Sequence, residues 1–448
     1  MKKLLTAAVT TAVGMAFAGS ALATETRINS LSAAGGLGGA FNEKSITIRD
    51  SNNIDTFPQF LTTYKNSVDV DNTLGSSYGS MNVRYALSDD PAPPVLTLFG
   101  KRSPWANVTA QKSILGATAP SVAGGPGFGP NPISGKALAD ATNHQFGVGF
   151  GMKAGESVRL GATLSIGGNR SDTQGTNLQS GNPTDDEQSN TWVDFNVGVG
   201  FDINEVNSLD FGLNIVGGTF TNESGKQPAY ASNGLFGVAL TAKGEFMVSQ
   251  ISKIVPYLRF NYDNRSVLGQ VLTPSDGRNN LIGTLTNMWI ILGSDLAIAP
   301  PNMEGVLIQP GVGLIYHSSG LSGNSNPAGA SATVETSSNI MPWYGFSAEA
   351  KAFEWLYLRL GARQVISRTD VANTATAPST NETHFSTVTN TVSTGFGIKL
   401  MGWDLDLDIN PAFFNNGIAA VNGSPTGAPT GAPAGAGWAL NWALGYDW

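Results

Sequence analysis

The chain has 448 residues, with 25 Lys and Arg against 33 Asp and Glu for a formal net charge of −8, and it contains no cysteine. The missing thiols exclude disulfide staples, thiolate metal sites and a cysteine nucleophile, and the acidic balance removes the electrostatic basis for nucleic-acid binding. Charged residues make up 13%, glycines number 55 and hydrophobic residues reach 41%, which is too little apolar content for a bundle of membrane-spanning helices with runs of about 20 residues.

Residues 1–23 read as a signal peptide. Lys2 and Lys3 precede an apolar stretch from Leu4 to Phe17, and Ala21-Leu22-Ala23 supplies a small-x-small cleavage site. The mature chain then starts at Thr24. Residues 24–66 form an N-terminal segment with a glycine-rich run from Gly35 to Phe41. A stretch from Asp50 to Leu61 follows, which includes Phe57 and Pro58. The segment reads either as a lead-in on the periplasmic rim or as a plug.

From residue 67 to 448 a period of two dominates. Trp403, Leu405, Leu407 and Ile409 alternate with Asp404, Asp406 and Asp408; Val193, Phe195, Val197 and Val199 alternate with Asp194, Asn196, Gly198 and Gly200. A helix would scatter these charges around its circumference, whereas a strand sorts them onto one face. The pattern predicts an all-β fold, a transmembrane antiparallel up-and-down β-barrel of about 16 strands, or 14 if the first hairpin belongs to the N-terminal segment. Tight turns at 154–157, 204–207, 249–253, 301–304, 353–355 and 402 alternate with longer polar stretches at 102–143, 167–190, 221–233, 266–285, 318–339, 369–385 and 411–437. Short turns on one rim and long loops on the other are the arrangement of bacterial outer-membrane barrels.

Parity divides the side chains between lipid and lumen. The acidic residues Asp194, Glu245, Asp263, Glu349, Asp404, Asp406 and Asp408 are expected to line a pore, as are the basic residues Arg159, Lys243, Arg259, Lys351, Arg359, Arg363 and Lys399. Sixteen strands enclose a channel rather than a filled core, so these charges are expected to face water. Inward glycines such as Gly151, Gly198 and Gly395 thin the wall or allow close approach. Trp192, Tyr262, Trp289, Tyr316, Trp343, Trp355 and Trp403 fall near strand ends, where aromatic girdles belong. The histidines are His144, His317 and His384. They fall near the loop rim, and none has a metal-ligand spacing. No catalytic residue, metal or cofactor is expected.

The last strand places Trp442, Leu444, Tyr446 and the terminal Trp448 on one face. It resembles the closing strand of bacterial outer-membrane β-barrel proteins, whose terminal aromatic residues are read by the barrel-insertion machinery. That resemblance implies an outer-membrane location in a Gram-negative bacterium. The implied partners are outer-membrane lipid, with periplasmic chaperones and the insertion machinery during assembly, and a homo-oligomer is left open. The N-terminal segment is similar to the plug of the long-chain fatty-acid transporter family, where a glycine-rich opening leads to an Asp-rich stretch and an Asn-Pro-Ala turn. Here that turn reads Phe57-Pro58-Gln59.

The first expectation for function is a porin-like channel for passive diffusion of small hydrophilic solutes. The alternatives are a plugged transporter for hydrophobic compounds and a non-transporting surface barrel with a structural or adhesive role.

Overall fold

The computed structural model describes residues 25–32, 44–48, 50–73, 79–103, 143–176, 183–224, 230–272, 278–301, 303, 305–325, 331–373, 381–409 and 440–448. The signal peptide, the run from Gly35 to Phe41, most of the 102–143 stretch and the 411–437 stretch lie outside the described residues.

Sixteen strands make one closed antiparallel barrel. They are β1 (Ser67–Thr73), β2 (Gly79–Ala86), β3 (Val95–Ser103), β4 (Asn143–Ala154), β5 (Val158–Thr176), β6 (Pro183–Asp202), β7 (Ser208–Ser224) and β8 (Tyr230–Ser249). The second half comprises β9 (Ser252–Leu272), β10 (Arg278–Ile298), β11 (Val306–Ser325), β12 (Ser331–Phe353), β13 (Leu356–Asn373), β14 (Asn381–Leu400), β15 (Trp403–Ile409) and β16 (Leu440–Asp447). Every strand pairs with its neighbours in sequence, and β1 closes on β16 from Ser67↔Asp447 to Thr73↔Asn441. Trp448 adds a backbone N–H to the carbonyl of Asn66 at 3.1 Å. The first hairpin is therefore part of the wall, and the strand number is sixteen rather than fourteen.

Alternation sets the two faces. Val193 and Phe195 are 45% and 41% exposed on the outside, while Asp194 and Asn196 between and beside them are each 3% exposed on the inside. A closed sheet satisfies its own backbone, which leaves the apolar exterior free to contact hydrocarbon. The short turns need unusual backbone, supplied by Gly155 (φ 73°) and by the Met401-Gly402 pair (φ 52° and 84°).

The long polar stretches differ from expectation. β5 and β6 stay paired from Gly168↔Thr191 out to Thr176↔Pro183, and β9 and β10 from Leu285↔Arg265 to Arg278↔Leu272. Residues 167–190 and 266–285 are thus mostly sheet. The alternation of apolar and polar residues breaks down in the sequence there, although the backbone ladder continues. β12 reaches 23 residues, about twice what a tilted strand needs to cross a bilayer.

Several inward glycines serve large neighbours. Phe99 lies across Gly147, Trp192 across Gly167, Tyr257 across Gly293 and Trp343 across Gly313, each ring covering its direct cross-strand partner. Each ring lies where its cross-strand partner has no side chain to displace it. Trp192, Trp289 and Trp343 accordingly point inward and are buried, not outward in a girdle. Their parity with Asp194, Asp295 and Glu349 puts them there.

The described part of the N-terminal segment contributes two helices, α1 (Glu25–Ser32) and α2 (Lys44–Thr47), and two 3₁₀ turns, Ser51–Asp55 and Pro58–Thr62. All of them lie against inward side chains of the barrel.

Candidate functional site

One wall holds α1 through ion pairs. Arg27 is 3% exposed; its Nε and Nη2 each donate to a Glu349 carboxylate oxygen at 2.9 Å, and its Nη1 lies 3.6 Å from Asp50. Glu349 also accepts from Arg359 Nε at 2.7 Å, and Arg359 Nη1 reaches Asp406 at 2.6 Å. Strand register explains the meeting. Glu349 and Arg359 are direct partners across β12 and β13, and Gly397, the partner of Asp406, has no side chain to keep the arginine away. Burial opposes charge on Arg27, but Glu349, Asp50 and Asp406 outweigh it and hold its pKa above the usual guanidinium range. Ser393 Oγ adds a hydrogen bond to the Ser30 carbonyl at 2.9 Å.

The opposite wall holds the second 3₁₀ turn. Pro58 occupies its first position, where proline's fixed φ suits a helical start and its missing N–H costs nothing. Gln59 is fully buried, and its Nε2 donates to Asp210 Oδ1 at 3.1 Å and to the carbonyls of Val199 at 3.3 Å and Phe211 at 3.5 Å. Phe57 and Phe60 stack tilted at 5.4 Å beneath Lys243, whose Nζ lies 5.3 and 4.7 Å from their rings. Asp55 pairs with Lys101. β4–β8 and β12–β15 are on opposite sides of a sixteen-strand ring, so the segment crosses the lumen between them.

A third region of the inner wall is apolar. Trp289, Ile291, Ile315, Met341, Trp343, Val365 and Tyr257 form one buried cluster on β9–β13, together with Ile46, Ile54, Phe57, Phe60, Leu61 and Tyr64 of the N-terminal segment. Register makes the wall part contiguous: Ile291 pairs with Ile315, Ile315 with Met341, and Trp343 with Val365. His317 stacks on Trp289, with centroids 3.7 Å apart and planes at 16°. It is buried in the lumen, not solvated at a loop end, because it shares parity with Ile315.

The residues expected to line a pore face inward, and all but Lys351 and Lys399 are buried. Arg359, Glu349 and Asp406 belong to the Arg27 network. Arg159 pairs with Asp202 at 2.8 Å and Asp210 at 3.2 Å, and Lys243 with Glu245 at 3.3 Å. Arg259 donates to Asn261 at 2.8 Å, Asp194 accepts from Asn196 at 3.3 Å, and Asp263 accepts from Asn287 at 3.4 Å. Arg363 sits over Trp343 at 5.1 Å, and Lys399 reaches Asp404 at 3.3 Å. Asp408 is buried further along β15, and Lys351 lies beside the Gly305 turn. At the closing strand, Tyr446 stacks between Trp403 at 4.7 Å and Trp448 at 6.3 Å, with Trp442 and Leu444 half-buried on the same side. Sequence reasoning missed Arg27, Ser30, Asp50 and Gln59 as wall contacts. They precede the strands, and no periodicity marks them.

No protein-family model matches the chain, and no curated protein matches it. Among solved structures it is similar to the ferric yersiniabactin uptake receptor FyuA of Yersinia pestis, at 10% identity over 77% of this chain and 60% of that one, with a TM-score of 0.43. The alcaligin outer-membrane receptor FauA of Bordetella pertussis gives 8% identity, 77% and 60% coverage and a TM-score of 0.41. The translocator domain of the autotransporter NalP of Neisseria meningitidis gives 12%, 65%, 89% and 0.32. The chain thus spans only 60% of the length of the first two. At such identities the likeness concerns the fold alone. The strand order and the sorted faces define the class: a closed sixteen-stranded barrel of the bacterial outer-membrane type.

Proposed function

We propose that the protein is an outer-membrane transporter for apolar or amphipathic small molecules, plugged by its own residues 24–66. The observation that carries this reading is the N-terminal segment stretched between two opposite walls, with Arg27 bound to Glu349 and Gln59 bound to Asp210. A passive pore for hydrophilic solutes would need that segment out of the lumen. The apolar patch on β9–β13 supports the substrate class: Trp289, Ile291, Ile315 and Trp343 cluster with apolar residues of the N-terminal segment in the closed barrel and would offer an apolar molecule a surface once that segment moves. An outer-membrane location is supported by the apolar exterior, and the terminal aromatics suit recognition by the insertion machinery.

Planar-bilayer recording tests the reading. The full chain should be silent, and deletion of residues 24–66 should give steady ohmic conductance. Steady conductance from the full chain would instead favour the open, porin-like channel. Uptake of an apolar fluorescent reporter by cells that carry the protein, measured against a hydrophilic one of equal size, tests the substrate class.

A further inference from the structure

The inner face of β4–β7 carries an unbroken transverse row of four glycines. Gly151 pairs with Gly161, Gly161 with Gly198, and Gly198 with Gly212. Directly opposed residues share a face of the sheet, so the row is a bare floor four strands across. Glycine weakens a strand interior and in such a position marks close approach of another backbone.

That backbone is the turn from Thr56 to Leu61. A Cβ on Gly161 would fall within the main chain of Pro58 and Gln59, and one on Gly212 would strike the Thr56 carbonyl. A Cβ on Gly198 would meet the Gln59 amide, and one on Gly151 would lie 2.7 Å from the Leu61 Cβ. The glycines beneath Phe99, Trp192, Tyr257 and Trp343 accommodate side chains of the wall itself. These four instead have the N-terminal segment as their nearest neighbours. The fully buried Gln59 completes the fit by reaching into the β6–β7 ladder at Val199 and Phe211.

We infer that the row Gly151–Gly161–Gly198–Gly212 is a seat for the Thr56–Leu61 turn, and that seating of this turn is what holds the barrel closed. The inference rests on the plug reading and adds where the plug is held. The contact is backbone against bare sheet, so any side chain on the floor displaces the turn. The α1 end is held separately by its ion pairs, and opening consists of the turn leaving the floor.

Single-channel recording of the full-length protein tests this. Wild type should be almost always closed. Gly161→Ala and Gly212→Ala should raise the open fraction by roughly tenfold to a hundredfold, the equilibrium shift that overpacking against a rigid neighbour produces. Gly198→Ala should act in the same direction, because its Cβ would collide with the buried Gln59 amide and lie 2.9 Å from the Pro58 ring. Gly100→Ala, whose Cβ would find its nearest neighbour at an ordinary 3.6 Å, should match wild type. Gln59→Ala leaves all sixteen strands unaltered and should also open the barrel, so the test survives if the wall variants fail to insert. If wild type is closed and Gly161→Ala, Gly212→Ala and Gln59→Ala are as closed as Gly100→Ala, the seat is wrong and the plug stands. If wild type conducts steadily, the plug reading fails and the seat falls with it.

Discussion

Arg27 and Glu349 stand 322 positions apart in the chain and share two hydrogen bonds of 2.9 Å inside the barrel. A guanidinium buried this deeply is tolerable only when carboxylates surround it, and Glu349 is itself shared with Arg359. The helix that precedes the barrel is thereby tied to β12.

Neutralising Glu349 should release that tie. In Glu349→Gln two arginines face an uncharged amide, and removing one member of a buried ion network costs about 3–5 kcal/mol. Trypsin should then cut after Arg27 in the folded, membrane-embedded protein many times faster than in wild type. Equal cleavage rates would contradict the ion-paired docking of α1.

The outward face can be tested independently. Phe195 is 41% exposed on the exterior of β6, and an arginine there would sit in hydrocarbon. Phe195→Arg should lower unfolding stability in lipid vesicles by about 2–4 kcal/mol, the range for a mid-bilayer cation on a barrel exterior. A loss under about 0.5 kcal/mol would contradict the assignment of faces, since that is the size of an ordinary surface substitution.

The apolar patch makes a third prediction. Trp289→Ala and Trp343→Ala remove the largest rings on β10 and β12 from the lumen. Each should reduce uptake of an apolar reporter, and because both rings are buried each should also cost about 3–5 kcal/mol of stability. Unchanged uptake in a folded variant would remove the patch from the transport route.

The carboxylates of β15 predict selectivity once the lumen is open. With residues 24–66 deleted, changing Asp404, Asp406 and Asp408 to Asn should shift the reversal potential under a salt gradient towards lower cation preference. An unmoved potential would show that these side chains do not set the field along the path.

Most of the wall was legible because a strand records its own environment in alternate residues. Asp404, Asp406 and Asp408 against Leu405, Leu407 and Ile409 fixed both the type and the faces of β15. The expectation of a girdle for Trp192, Trp289 and Trp343 rested on proximity to strand ends and overlooked that each shares parity with an inward carboxylate. Two things left no such trace. The outer halves of β5, β6, β9 and β10 lose the strict alternation of apolar and polar residues, so pairing continues where the pattern stops. The partners of Arg27 and Gln59 depend on which wall the segment reaches, and that follows from closure and register, not from any local spacing. The four-glycine row is visible only once Gly151, Gly161, Gly198 and Gly212 are brought into line by strand pairing.

Crosslinking inside the native membrane tests the position of the N-terminal segment most directly, and the natural absence of cysteine makes it clean. Ser30→Cys combined with Ser393→Cys should form a disulfide on mild oxidation, since the Ser393 side chain already lies against Ser30, its Oγ 2.9 Å from the Ser30 carbonyl. Ser30→Cys combined with Ser165→Cys, on the opposite wall, should not. A thiol at position 30 that stays free in the first pair, and is labelled readily by a bulky polar maleimide, would place α1 outside the barrel and contradict the plugged lumen.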